Sequence, residues 1–592
     1  MQGIGKSITR SLLLAALLGT SATSQAAPKA VLIGIDGTQY EKLLALDLPN
    51  MRRLYQTMAY TGGVQGSASE QTTVSGPGWT TMLTGVWANK HGVTSNDSGL
   101  ANAQFPSVFK RIRQAKPSAY IASITNWASI NQRFLTQDVV GNDFNASGLS
   151  DQAVVDKTVE QIRTTPADFI FVALDDPDHA GHASGFGAAY NQAIRDSDAR
   201  LGQILAAVEA KRAASGDDWL VLVTTDHGRE ALLGYNHGSQ TRSEKTIFIA
   251  SNQALNAEFN QPVGNVSNQG FGGLYGYAAQ TSIAPTILRH LGIALQPQWL
   301  LDGIPLNGTL AVQKLLPASG SQATLNWFAA DGGMVEIRRN GITVATVPAA
   351  QQGWLDGAAI PGQADYSLIH NGTPAALRLN RRQIQATLDW DATRSYFFLD
   401  DGSYVRYNQV LDRADSGYPA ATSDSSWPGL GSYAGKLRAG FSKDAGVAYF
   451  FLDDGRYIRY NKIADRVESG YPKPVNDSTW PGLAAYAGQI RATLRWSGGT
   501  VYFFLRDGRY LRYNLILDKV DAGYPKPVTD ANWPGLGAYA GQIESALKWD
   551  DTRAYFFLGG KRYIRYNIAL DRAESGYPRA VDQASWPGLL VQ

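Results

Sequence analysis

Val31-Leu32-Ile33-Gly34-Ile35-Asp36-Gly37 reads as a buried strand that ends on a carboxylate. Its apolar run, Ala30–Ile35, does not alternate with polar residues, so both faces must be covered, as in a parallel sheet between helical layers. Phe169–Leu174, Leu220–Thr225 and Thr246–Ala250 are runs of the same kind. Between them, residues 188–212 place Ile194, Leu201, Leu205 and Val208 at near-helical spacing. Alternating β and α elements predict an α/β/α sandwich whose sites form at the carboxyl ends of the strands.

The chemistry-bearing residues fall at those ends. Asp36 closes the first run, and Leu174-Asp175-Asp176-Pro177-Asp178-His179-Ala180-Gly181-His182 follows the second. Val223-Thr224-Thr225-Asp226-His227-Gly228 closes the third, with His237 after it. Three carboxylates (Asp36, Asp178, Asp226) and three imidazoles (His182, His227, His237) make a ligand set suited to two divalent cations, with zinc as the expected identity. There is no cysteine, so thiol nucleophiles and thiolate metal sites are excluded.

The order and wording of these pieces resemble the type I phosphodiesterase and nucleotide pyrophosphatase group of the alkaline phosphatase superfamily, over about residues 29–307. The resemblance implies that Asp36, Asp226 and His227 hold one metal and Asp178, His182 and His237 the other. It also implies a nucleophile in Ser75-Gly76-Pro77-Gly78-Trp79, the segment that leads to Thr84-Gly85 and His91-Gly92. Ser75 is then the expected nucleophile and metal contact, and Asn96 the expected ligand of a phosphoryl oxygen. Such a site would hydrolyse phosphate esters through a phosphoserine, because two cations can stabilise both the attacking and leaving oxygens of an in-line displacement. Two departures bear on specificity. His227 and His237 lack the long insertion that shapes a nucleotide pocket in many of these enzymes, and Gly78 stands where that group often has Asn.

The neighbouring hydroxyls of Thr72, Thr73, Thr80 and Thr81 are alternatives to Ser75, and the Ser-Gly-Pro-Gly segment alone reads as a turn. His179 reads as a loop side chain, His91 as a support for the nucleophile segment, Lys90 as a solvated charge, and Asp175 and Asp176 as either groups orienting the imidazoles or ordinary loop carboxylates. A sulfatase is the rival enzyme class, disfavoured by Trp79 where its maturation segment needs Arg and by a His-rich set that suits zinc better than calcium. A phosphoglycerate mutase is disfavoured by the export signal described below.

The last third repeats. Tyr396, Tyr449, Tyr502 and Tyr555 each open Tyr-Phe-Phe-Leu, and Trp427, Trp480, Trp533 and Trp586 each open Trp-Pro-Gly-Leu, all at a period of 53 residues. Each copy reads as a strand, a turn such as Asp453-Asp454-Gly455, a second strand and an outer segment after Gly470-Tyr471-Pro472. With the early Ile384, Leu437, Ile490 and Ile543, these copies resemble hemopexin repeats over about residues 381–592. The resemblance implies a four-bladed propeller whose axial channel can hold a structural ion, and a binding or targeting role toward an extracellular protein or polymer ligand. It lacks the cysteine pair that often ties the first and last blades, so closure must rest on strand pairing and packing. Residues 381–592 contain no His, which argues against haem ligation.

Met1–Ala26 is a secretory signal by pattern: Lys6 and Arg10, then the apolar run from Ser11 to Leu18, then Ser24-Gln25-Ala26. The run is shorter than the ~20 residues a span requires. Its removal takes Lys+Arg from 53 to 51, equal to the 51 Asp+Glu, so no broad attraction for nucleic acid or anionic membrane is expected. The expected division is 1–26 signal, 27–308 metallohydrolase, 309–380 a small β-sandwich spacer with a hairpin at Asn340-Gly341, and 381–592 propeller. A secreted or periplasmic phosphoesterase is the expected whole, and an adhesion protein led by its propeller the alternative.

Overall fold

The computed structural model describes residues 26–590 apart from 66, 265–269, 318–323, 358–361, 381, 416 and 583–584. The expected signal segment lies outside the described residues except for Ala26. Among the described residues no helix is long and apolar enough to cross a membrane.

The N-terminal region is built on eight strands: β1 (Pro28–Ile35), β2 (Tyr55–Tyr60), β3 (Ile121–Thr125), β4 (Phe144–Ser147), β5 (Phe169–Leu174), β6 (Asp218–Thr224), β7 (Thr246–Ser251) and β8 (Ala278–Ala279). They lie in the order β4-β3-β5-β1-β6-β7-β2-β8. All pairings are parallel except those of β7, which runs against both β6 and β2. Alternation along β1 divides the core between the two faces. Ala30 and Leu32 join Trp79, Met82 and Ile287 on one side, and Val31, Ile33 and Ile35 join Ile194, Leu201 and Val208 on the other. The helices that matter to the site are α1 (Ser75–Thr84), α2 (Asp176–Ser184) and α3 (Ala188–Ser215), with α4 (Ile283–His290) packed behind α1. α3 outlasts the expected 188–212 by three residues and stops where Gly216 takes a left-handed φ of 75°.

A β-sandwich follows. A three-stranded sheet (Gln313–Pro317, Thr324–Phe328, Gly353–Leu355) faces a four-stranded one (Met334–Arg339, Ile342–Pro348, Gln363–His370, Thr373–Asn380). The two share one core around Leu325, Trp327, Val335, Ile337 and Leu368. The hairpin does turn at Asn340-Gly341, both with positive φ.

Four five-stranded sheets complete the chain. Their inner strands, Ile384–Asp389, Leu437–Ser442, Ile490–Arg495 and Ile543–Lys548, each pack against the next, and the last packs against the first. The ring therefore closes as a four-bladed propeller, without a disulfide. Phe397 of the first blade meets Phe557 and Trp586 of the fourth at 5.4 and 5.6 Å, in one cluster with Ile384 and Leu547. The Ala414 amide donates to the Pro587 carbonyl at 2.8 Å, as Val467, Val520 and Ala573 do to Pro428, Pro481 and Pro534. Each Trp-Pro-Gly thus latches one blade to its neighbour, and the fourth copy supplies the closure that a cysteine pair would otherwise give.

Candidate metal centre and nucleophile

Strand register delivers the acidic cluster. β1 sets Ile35 opposite Leu174 of β5 and Gly34 opposite Thr224 of β6. Asp36, Asp175 and Asp226, just beyond these residues, therefore leave the sheet together at the carboxyl edge of parallel strands. All three are buried.

His227 Nδ1 lies 2.9 Å from the Gly228 carbonyl, a contact that needs a proton on Nδ1 and leaves the lone pair on Nε2. That lone pair faces Asp226 Oδ2 at 3.3 Å and Asp36 Oδ1 at 3.5 Å. Both oxygens are buried without a hydrogen-bond partner. Burial pushes His227 down to about 4, so the imidazole does not relieve the clash by taking a proton. Burial, followed by the charge of Asp178, pushes Asp226 up to about 7, and burial with the charges of Asp226, Asp178 and Asp175 raises Asp36 well above the carboxylate range. Two carboxylate oxygens without a donor, converging on an imidazole lone pair, fit a divalent cation, which would satisfy all of them at once.

The second group adjoins the first. His237 Nδ1 is tied to the Thr73 carbonyl at 2.9 Å, and its Nε2 lies 3.1 Å from His182 Nε2 and 3.8 Å from Asp178 Oδ1. His182, one turn beyond Asp178 on α2, meets Asp178 Oδ2 at 3.2 Å. The His227 and His237 rings stack at 3.8 Å, so the two groups share a wall. Ligand atoms come within 4.8 Å of one another in three sets: Asp36, Asp226 and His227; Asp178, His227 and His237; and Asp36, Asp175 and Asp178. His182 touches both Asp178 and His237 but stands outside these sets, with 45% of its side chain exposed.

Ser75 is the first residue of α1, where the unpaired amides and dipole of a helix N-terminus favour negative charge. Its Oγ is 3.3 Å from His227 Nε2. The Gly76 amide donates to Asn96 Oδ1 at 2.7 Å, which ties Asn96 to the residue after Ser75. The rival hydroxyls have other partners. Thr72 Oγ1 donates to the Thr94 carbonyl, Thr73 Oγ1 to Glu244, Thr80 Oγ1 to the Gly76 carbonyl, and Thr81 Oγ1 meets His91 and Gln71. His91 is buried, lowered to about 3 by that burial, and braces α1 through Thr81. His179 is exposed and pairs with Asp175 at 3.2 Å.

Lys90 corrects the sequence reading. It is not a solvated charge: its side chain is fully buried, 2.6 Å from Asp302 Oδ1 and 2.7 Å from the Leu300 carbonyl. The partner lies more than two hundred residues away, beyond the reach of any local pattern.

Two residues that sequence reasoning did not place are Arg229 and Trp79. The Arg229 guanidinium is wholly buried, bonds Asp178 Oδ1, and donates to the Gly234 and Tyr235 carbonyls at 2.5 and 2.8 Å. Burial opposes ionisation of Asp178, but the His182 hydrogen bond together with the charge of Arg229 outweighs it and holds the carboxyl well below the usual range. Gly181 makes room for this arginine, because a Cβ there would lie 2.5 Å from the guanidinium. Trp79 Nε1 donates to Asp36 Oδ2 at 3.1 Å and aims Oδ1 at His227. The edge of its six-membered ring abuts Gly34, where a Cβ would come within 2.2 Å of it.

Comparison with known proteins gives two family matches. The Metalloenzyme superfamily model matches residues 35–241, and the Hemopexin model matches residues 490–538. Interstitial collagenase of Equus caballus is 29% identical over 171 residues, 28% of this chain and 32% of the collagenase. The 2,3-bisphosphoglycerate-independent phosphoglycerate mutase of Haloquadratum walsbyi is 37% identical over 86 residues, 14% of this chain and 16% of the mutase. The chain thus spans a third or less of the curated relatives it matches. Murine ectonucleotide pyrophosphatase/phosphodiesterase 5 is similar in structure with a TM-score of 0.32 and 14% identity, covering 48% of this chain and 97% of the murine one.

Proposed function

From a chain that carries a Metalloenzyme superfamily domain at residues 35–241 and a hemopexin repeat toward its C-terminus, we propose an exported phosphohydrolase that cleaves phosphate mono- or diesters through Ser75, with the propeller as its targeting module. The observation that carries this reading is the pair of donorless carboxylate oxygens, Asp36 Oδ1 and Asp226 Oδ2, converging on His227 Nε2 beside the Ser75 hydroxyl. In this reading the unit spans 27–308, the spacer 309–380 and the propeller 381–592.

Asp36, Asp226 and His227 hold one divalent cation and Asp178, His182 and His237 a second, with zinc favoured by the three imidazoles. Bound there, such cations supply Lewis-acid stabilisation of charge on the attacking and leaving oxygens. Ser75 Oγ displaces the leaving group at phosphorus, and the chain holds the resulting phosphoserine at the N-terminus of α1 until water cleaves it. Asn96 Nδ2 and the free amides of α1 donate to the nonbridging oxygens, where negative charge grows in the transition state. Asp178, His182 and His237 adjoin the first group through the stacked His227 and His237 rings and reach solvent through the half-exposed His182. The axial ion expected in the propeller would rest on backbone carbonyls, because among the described residues the acid and imidazole groups able to share an ion all lie in the strand-end cluster.

The test is acid-quench mass spectrometry during turnover of an aryl phosphate. A phosphoryl adduct on Ser75, lost in Ser75→Ala together with turnover, is the expected result. Turnover retained by Ser75→Ala ends the assignment, and faster cleavage of the aryl sulfate than of either phosphate ester favours the sulfatase alternative.

A further inference from the structure

A cavity lies in the propeller, away from the cluster. About 380 Å³ opens at the outer edge between the fourth blade and the first, lined by Tyr555, Tyr563, Tyr577, Trp586, Arg579 and Asp412. Tyr555 stands edge-on to Trp586 at 4.9 Å, Tyr563 edge-on to Tyr577 at 5.3 Å, and the Arg579 guanidinium lies 4.8 Å over the Tyr577 ring. Asp412 comes from the first blade, where one carboxylate oxygen accepts from Tyr407 at 3.1 Å and the other faces outward. Arg579 donates to the Gly576 carbonyl at 3.3 Å and meets no carboxylate among the described residues. The buried indole N–H of Trp586 has no acceptor.

We propose that this cavity binds one unit of a neutral polysaccharide, and that the propeller docks the protein on such a polymer. The charge of the lining is the first argument. Arg565 and Arg579 are balanced by Asp412 and Asp582, so the wall neither attracts a polyanion nor selects a cation. The mixture of surfaces is the second. Aromatic faces suit the apolar C–H face of a pyranose, while the carboxylate, guanidinium and phenol edges suit its rim of hydroxyls. Repetition is the third. The same set returns every 53 residues, for example as Tyr449, Tyr457, Tyr471 and Trp480 in the second blade, with Asp518 of the third behind them. Lys473 and Lys526 lie over Tyr471 and Tyr524 as Arg579 lies over Tyr577; the first blade has Ala420 at that position and holds Arg406 over Tyr418. Equivalent sites around a rigid ring match a ligand that itself repeats, and several weak contacts then add as avidity.

The inference is independent of the phosphohydrolase reading, since Ser75→Ala leaves the propeller untouched. The experiment is affinity electrophoresis of the full-length protein through gels containing dextran, mannan, soluble cellulose or soluble chitin derivatives, with heparin as the polyanion. Retardation by at least one neutral polymer is expected, weakened about tenfold or more in the combined Arg579→Ala, Lys473→Ala and Lys526→Ala variant, since hydrogen bonds to charged groups contribute about 1.5–3 kcal/mol each. These side chains are exposed, so the variant should keep the parent's unfolding midpoint. No retardation by any neutral polymer, retardation by heparin alone, or a variant that binds as the parent does overturns the proposal.

Discussion

Gly78→Ala tests whether the approach of α1 to the end of β6 sets the geometry of the site. By helix propensity alone the change stabilises, because Gly inside a helix costs about 1 kcal/mol relative to Ala. The neighbours reverse that sign. A Cβ at Gly78 would stand 2.7 Å from the Asp226 carbonyl oxygen and 3.0 Å from the Asp226 Cβ, where ordinary contact begins at 3.4 Å. Neither atom is the end of a flexible side chain, so α1 or the Asp226 turn must give way by about half an ångström or more. Overpacking of this kind costs about 1–3 kcal/mol. Ser75 lies one turn earlier on α1 and Asp226 is in direct contact, so the same shift separates the hydroxyl from the metal ligands. Misplacement of about 1 Å costs about 100-fold in rate, so kcat/KM for an aryl phosphate should fall roughly 10- to 100-fold. Urea unfolding and steady-state kinetics read the two effects. A variant as stable as the parent, or more so, with unchanged kcat/KM, would refute the claim that this contact positions the site.

Other outcomes follow from the same geometry. Asp226 is raised to about 7, and a protonated carboxyl must lose its proton before it can bind a cation, so affinity for zinc should fall as pH drops below about 7; His227 and His237, lowered to about 4 by burial, stay neutral there and do not compete. Calorimetry at pH 6 in buffers of different ionisation enthalpy should show proton release on zinc binding, and its absence would contradict the raised carboxyl. Arg229→Met should destabilise the protein by about 3–5 kcal/mol in urea, because it leaves Asp178 and two carbonyls buried without their donor; Arg229→Lys should recover only part of this, since an ammonium keeps the charge and loses the fork. Equal stability of Arg229→Met would show the pair to be dispensable. Deletion of residues 381–592 should leave hydrolysis of small aryl esters within about twofold of the parent, because the propeller contributes no side chain to the cluster; loss of that activity in a folded fragment would show coupling.

The sheet and its acidic edge were legible because they are local. An apolar run that does not alternate must be buried on both faces, and a carboxylate at its end must sit at the sheet edge. Asp36, Asp178, Asp226, His227 and His237 are brought together for that reason. The propeller was legible by repetition, which sums a weak signal over four copies. What escaped depended on contacts distant in sequence. Lys90 reads as a surface charge until Asp302 folds against it, and Arg229 reads as an ordinary arginine until Gly181 is seen to cradle it. Trp79 was noted only for what it excludes, whereas its indole orients Asp36. The rim cavity between blades was invisible because its lining comes from residues whose repeat positions read as core.

Diffraction data collected on either side of the zinc absorption edge, from crystals of the zinc-loaded protein, test the central claim most directly. Two anomalous peaks about 3.5–4 Å apart are predicted, one among Asp36, Asp226 and His227, the other among Asp178, His182 and His237, with Ser75 Oγ adjoining them. A single peak among these residues, or none, would contradict the two-metal account.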